Sequence, residues 1–157
     1  MGEKAVSHGS TGEEAASEES TDKRIASSPV NSLLRYWLPP VLWMGVIFIV
    51  SAQPTLPHYP DTLLDFVLKK AAHTIEYGIL TFLLWRALSR GRGALSRPAL
   101  VIAFVVSVFY AASDEYHQTF VPGRNGTPVD VGIDAVGALV ALFVVGSLGR
   151  RRQGDTP

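Results

Sequence analysis

The sequence predicts an all-α protein: an integral membrane four-helix bundle preceded by a disordered N-terminal tail. Three observations lead there. Of the 157 residues 47% are hydrophobic, and nearly all of that hydrophobicity lies after residue 30. Four stretches there have the roughly 20 apolar residues that a helix needs to cross a hydrocarbon core about 30 Å thick. The second halves of two of these stretches are apolar all round, not along one stripe, which fits a soluble bundle poorly.

Residues 1–29, "MGEKAVSHGSTGEEAASEESTDKRIASSP", are rich in Ser, Gly, Glu and Thr. They cannot bury enough surface to offset the entropy of folding, so they are expected to be disordered. They contain no apolar core of a signal peptide. Val6 stands where a myristoylation motif needs Ser or Thr. The first span is Leu33 to Ala52, with Pro39 and Pro40 expected to kink it and Tyr36, Trp37 and Trp43 suited to an interface. The second is Phe66 to Leu88. The third is Pro98 to Phe120, with Ser96 as cap and Pro98 in the first turn. The fourth is Pro128 to Leu148, with Thr127 as N-cap. The organisation is thus a tail at 1–29, a transmembrane domain at 30–149 and a basic C-terminal tail at 150–157.

Positive residues orient the spans. Arg86, Arg90, Arg92 and Arg97 crowd the connection between spans two and three, and Arg150, Arg151 and Arg152 follow span four. The other two connections are poor in Lys and Arg. The positive-inside rule therefore puts both termini and the middle loop in the cytoplasm of a multi-pass protein of the cell membrane. With 14 basic and 14 acidic residues, bulk charge gives no sign of a nucleic-acid partner; the expected partner is the lipid bilayer. The absence of Cys excludes disulfides, thiolate catalysis and thiolate metal sites.

With that topology, polar groups of all four spans fall in the outer half. Ser51 and Gln53 end span one. His73, Glu76 and Tyr77 share one face of span two at i, i+3, i+4 spacing. Ser113, Asp114, Glu115, His117 and Gln118 lie in the last turns of span three, and Asp130 and Asp134 in the first turns of span four. Ionisable groups at membrane depth are costly and usually face a bundle interior or a wet cavity. His73, Glu76, Asp114 and Asp134 are therefore expected to converge in one cavity. Each residue also has a structural explanation. Asp130 stands three after Thr127, at a capping-box position. Glu115 and His117 can sit solvated among headgroups, His73 can bond a carbonyl, and Arg124 can be a solvated loop charge. Capping does not account for Glu76, Asp114 or Asp134.

Two stretches, "AAHTIEYGIL" and "SDEYHQTFVPGRNGTPVDVGIDAVGAL", together with "IFIVSAQP" at the end of span one, resemble the VanZ-like family of teicoplanin-resistance-associated membrane proteins. The resemblance covers roughly residues 36–148 and leaves the tail before residue 30 outside. It implies a four-helix membrane domain, and it singles out His73, Glu76, Tyr77, Ser113, Asp114, Glu115, Gln118, Arg124, Asp130 and Asp134. The family pattern often has Asn where this chain has Asp134.

Two classes of function remain open on the sequence. In an enzyme acting on a lipid or lipid-linked envelope substrate, His73, Glu76, Asp114, Glu115 and Asp134 are the candidate catalytic residues, with a divalent metal as a conceivable cofactor. No GxSxG or HExxH motif is present. In a non-catalytic module, the same cluster binds a lipid-like, lipopeptide or glycopeptide ligand, with Tyr77, Ser113, Gln118, Arg124 and Asp130 as binding residues. A transporter is less favoured, because no internal repeat is evident. Arg124, in a turn-rich loop, is expected to pair with Asp114, Glu115, Asp130 or Asp134 and to exchange that partner for an anionic group of the ligand.

Overall fold

A computed structural model describes residues 29–54, 62–90 and 96–154. Among the described residues there are four helices: α1 (Pro29–Ser51), α2 (Thr62–Leu88), α3 (Arg97–Gln118) and α4 (Pro128–Gly154). The disorder expected at 1–29 falls outside the described residues, apart from Pro29, which begins α1. Two compact units are distinguished. One is residues 1–35, of which only the opening turns of α1 are described; the other, residues 36–157, contains the bundle.

At about 1.5 Å per residue the helices are roughly 33–40 Å long, enough for a bilayer core. By length and composition α1, α3 and α4 are long and apolar enough to cross a membrane. The sequence predicts four such spans, and α2 is the exception. It has the length, but it carries Asp65, Lys69, Lys70, Glu76 and Arg86. Its outward residues Val67, Leu68, Ile75, Ile79 and Phe82 are nevertheless apolar, and Tyr77 and Thr81 are turned fully inward. Of its charged residues, Lys70 pairs with Asp130 of α4, and Lys69 and Glu76 line a cleft shared with other helices. Exposed Val101, Phe109, Leu139 and Phe143 continue the apolar surface on α3 and α4, opposite to what a water-soluble bundle presents.

The helix ends follow the local chemistry. Ser96 is extended (φ −79°, ψ 111°) before α3 and Pro98 sits in the first turn, but the Ser96 side chain makes no capping bond. Thr127 does cap α4: its Oγ1 accepts from the Asp130 N–H at 3.2 Å. The reciprocal half of the capping box is replaced. Asp130 is paired with Lys70, and the Thr127 N–H donates instead to Glu115 Oε2 on α3 at 3.0 Å. The helix of α1 continues through Pro39 and Pro40. That of α4 runs on to Gly154, past the end expected at Leu148.

Successive helices alternate in direction, as the cross-helix bonds record. The Trp43 indole donates to the Glu76 carbonyl (2.9 Å), the Tyr110 hydroxyl to the Met44 carbonyl (2.7 Å), and the Thr81 hydroxyl to Ser107 Oγ (2.8 Å). Ile47, Tyr77, Leu80, Leu84, Ala103 and Ala111 form the core, flanked by Trp43, Met44, Trp85 and Tyr110. Small residues set the closest crossing. A Cβ on Gly137 of α4 would collide with the Thr74 carbonyl of α2, and a Cβ on Gly78 would lie 3.2 Å from the Gly137 carbonyl oxygen. This is the small-residue contact through which membrane helices gain packing that apolar burial cannot supply in lipid.

Candidate functional site

The α2–α4 crossing brings two polar turns together, because α2 and α4 run in the same direction. His73, one residue before Thr74, faces Asp134, three before Gly137. His73 Nδ1 lies 3.3 Å from Asp134 Oδ1 and 3.7 Å from Glu115 Oε1 of α3. Asp134 is 1% exposed and Glu115 4%. Glu115 is held on both oxygens, Oε2 by the Thr127 N–H at 3.0 Å and Oε1 by Gln118 Nε2 at 3.3 Å. The loop stays close because residue 126 is glycine: a Cβ there would clash with the Glu115 carbonyl.

A second polar group joins α1 to α3. Ser51 Oγ donates to Asp114 Oδ1 at 2.6 Å, and Gln118 Nε2 donates to Asp114 Oδ2 at 3.0 Å. Gln118 thereby links Asp114 to Glu115, and the two groups form one network.

A cleft of about 160 Å³ opens beside this network. It is lined by Ile47, Val50 and Ser51 of α1, Lys69, Ala72, His73 and Glu76 of α2, Asp114 of α3 and Arg124 of the α3–α4 loop. Both signs of charge and an apolar wall thus meet in one small space. A larger groove of about 490 Å³ between α3 and α4 has Glu115 as its one acidic or basic lining residue among the described residues.

Of the residues singled out in the sequence, the structure brings His73, Glu76, Asp114 and Arg124 into the cleft and sets Glu115, Gln118 and Asp134 against His73 and Asp114. Asp130 is placed at the edge by its ion pair with Lys70. Tyr77 is fully buried in the core, its ring 6.5 Å from that of Tyr110. Ser113 is exposed and bonds back to the Tyr110 carbonyl at 2.7 Å, away from the cleft. His117 stacks on Phe48, centroids 4.7 Å apart.

Arg124 departs from the expected carboxylate pairing. Its Nη2 donates to the Val50 carbonyl at 2.8 Å and its Nε to the Gln53 carbonyl at 3.2 Å. These carbonyls lie at the C-terminal end of α1, at the negative end of its dipole, and that of Val50 also accepts from the Gln53 N–H at 3.2 Å. Arg124 therefore fastens the α3–α4 loop to α1 while lining the cleft. Lys70 was not singled out as a site residue in the sequence, because a Lys near the start of a span reads as an interfacial charge. Ser51 gave a weak signal, its depth at the end of span one.

Among known proteins, the VanZ/LLP1 family matches residues 10–148. The match reaches into the polar tail, further than the resemblance read from the motifs alone, which left the residues before 30 outside. No curated protein and no solved structure matches the chain. The chain belongs to the VanZ/LLP1 family.

Proposed function

We propose that this VanZ/LLP1-family protein is a four-span module of the cell membrane, termini in the cytoplasm, whose cleft binds the headgroup of a lipid-like or lipopeptide ligand at the outer leaflet. Such binding would alter the envelope and its response to glycopeptides such as teicoplanin. The observation that carries the reading is the cleft itself, with Lys69 and Arg124 beside Glu76 and Asp114 against the apolar Ile47 and Val50. Mixed charge beside an apolar wall matches an amphiphile better than either a wholly polar or a wholly apolar molecule.

The size of the cleft narrows the ligand. Its volume of about 160 Å³ is close to that of a cavity of roughly 150 Å³ that takes up one benzene. That accommodates a phosphate, a carboxylate or a small ammonium group, not a whole glycopeptide. An effect on teicoplanin would then run through a lipid or lipid-linked precursor whose headgroup the cleft holds.

Protein reconstituted in nanodiscs with anionic and zwitterionic phospholipids tests this by native mass spectrometry. One retained lipid per chain, lost in Glu76→Gln and Arg124→Ala, is the expected result; equal retention in wild type and variants would overturn it. The enzyme reading is favoured instead if envelope lipid extracts are chemically converted, since His73, Glu76 and Asp114 are grouped for acid–base work.

A further inference from the structure

We propose that His73, Glu115 and Asp134 form a binding site for a divalent transition metal ion such as Zn²⁺ or Mn²⁺. The three residues come from α2, α3 and α4, and each offers a ligand atom within 4.8 Å of the other two. The donor set of one imidazole and two carboxylates suits these ions.

Three observations carry the site. The first is spacing. Metal–ligand bonds of about 2.0–2.2 Å put tetrahedral ligands about 3.4 Å apart. His73 Nδ1 stands 3.3 Å from Asp134 Oδ1 and 3.7 Å from Glu115 Oε1. The second is the state of the buried atoms. Asp134 is 99% buried by its 1% exposure, yet among the described residues neither of its oxygens accepts a hydrogen bond, and His73 Nδ1 makes none. Buried polar atoms are nearly always satisfied, so an unsatisfied cluster aimed at one point calls for a ligand. The third is the support behind Glu115. Its oxygens are already oriented by the Thr127 N–H and Gln118, as carboxylate ligands are oriented by the groups behind them.

Charge points the same way. Two ionised carboxylates at membrane depth need compensation. Two cations of this region have other engagements: Lys70 is paired with Asp130, and Arg124 donates to the α1 carbonyls. A dication bound by neutral His73 and both carboxylates gives a neutral unit. Three protein ligands would leave at least one coordination position for water or another ligand, and His73 also lines the cleft. Metal binding stands independently of the headgroup reading, since it needs no lipid ligand.

The full chain, purified in detergent without a metal-binding tag, is loaded with Zn²⁺, dialysed and assayed by elemental mass spectrometry. The expected result is one Zn²⁺ per chain. His73→Ala and Asp134→Ala should each weaken binding at least 100-fold, an order-of-magnitude estimate from the loss of one of three ligands. Asp134→Asn should weaken it less, since the amide oxygen remains. Less than half an equivalent on wild type, or unchanged binding in both alanine variants, overturns the site. If the alanine variants do not fold, Co²⁺ bound to wild type decides. The intense visible bands of a low-symmetry, nitrogen-coordinated ion support the site, and the weak spectrum of the hydrated ion overturns it.

Discussion

Gly137→Ala tests the crossing that builds the site. Two effects oppose one another. Ala is the better helix former by about 0.8–1 kcal/mol in water. In a membrane the separated helices remain helical, because their backbone groups have no other partners, so most of that gain is absent. Against it stands a collision. The new Cβ meets the Thr74 backbone carbonyl, which cannot swing aside as a side chain can, and the crossing has little slack elsewhere, since even a Cβ on Gly78 would lie 3.2 Å from the Gly137 carbonyl oxygen. Relief requires α2 and α4 to part by roughly an ångström, and overpacking of this kind costs about 1–3 kcal/mol. The collision therefore decides the sign, and a net loss of about 1–2 kcal/mol is expected. Gly132→Ala is the control: it lies on the same helix, and a Cβ there meets nothing within 4 Å. Unfolding measured by steric trapping in bicelles should separate the two variants by at least 1 kcal/mol, with Gly132→Ala near wild type. Because His73 and Asp134 flank the crossing, Gly137→Ala should also weaken Zn²⁺ binding. A Gly137→Ala protein as stable as Gly132→Ala would refute the close packing of α2 on α4.

Ser51→Ala removes the 2.6 Å bond to Asp114, a buried carboxylate left with Gln118 alone. The expected cost is about 1–2 kcal/mol, at the upper end for membrane hydrogen bonds because the acceptor is charged, and the same unfolding assay reads it. Arg124→Lys keeps the charge but cannot span both the Val50 and Gln53 carbonyls. It should impair lipid retention or teicoplanin response several-fold more than it lowers stability, and equal susceptibility of wild type, Arg124→Lys and Arg124→Ala would remove Arg124 from the site. For topology, a reporter active only outside the cytoplasm and fused after residue 155 should stay silent; activity there would invert the proposed orientation and place the cleft at the inner leaflet.

Much of this arrangement was legible in the sequence, for physical reasons that also mark where legibility ended. Long apolar runs gave α1, α3 and α4, because lipid admits little else. The i, i+3, i+4 set at His73, Glu76 and Tyr77 announced a polar face on α2 but not which member turns where. Tyr77 went into the core and His73 and Glu76 to the cleft, a division set by the neighbouring helices. Ser113 shares its turn with Asp114, yet one step along a helix rotates a side chain by about 100°, enough to put it outside. The Arg124 pairing was the plainest miss. Charge alone favours a carboxylate, and only the fold reveals that the Val50 and Gln53 carbonyls at the end of α1 lie within reach of its fork.

The polarity of α2 connects these points. A helix carrying Lys70, His73 and Glu76 is a poor membrane span taken alone, and it becomes compatible with lipid only when partners cover that face. The neighbours are particular: Asp130 pairs with Lys70, Asp134 and Glu115 stand beside His73 at 3.3 and 3.7 Å, and the Trp43 indole bonds the Glu76 backbone carbonyl. Three helices and both ends of the α3–α4 loop are thereby committed to satisfying one strip of α2. Some of the groups that make the bundle specific, His73, Glu115 and Asp134, thus also form its candidate metal site, and His73 lines the cleft. A substitution that unpairs the strip should lower folding yield and ligand binding together. One that widens the Gly137 crossing while leaving every polar group in place should reduce binding through geometry alone.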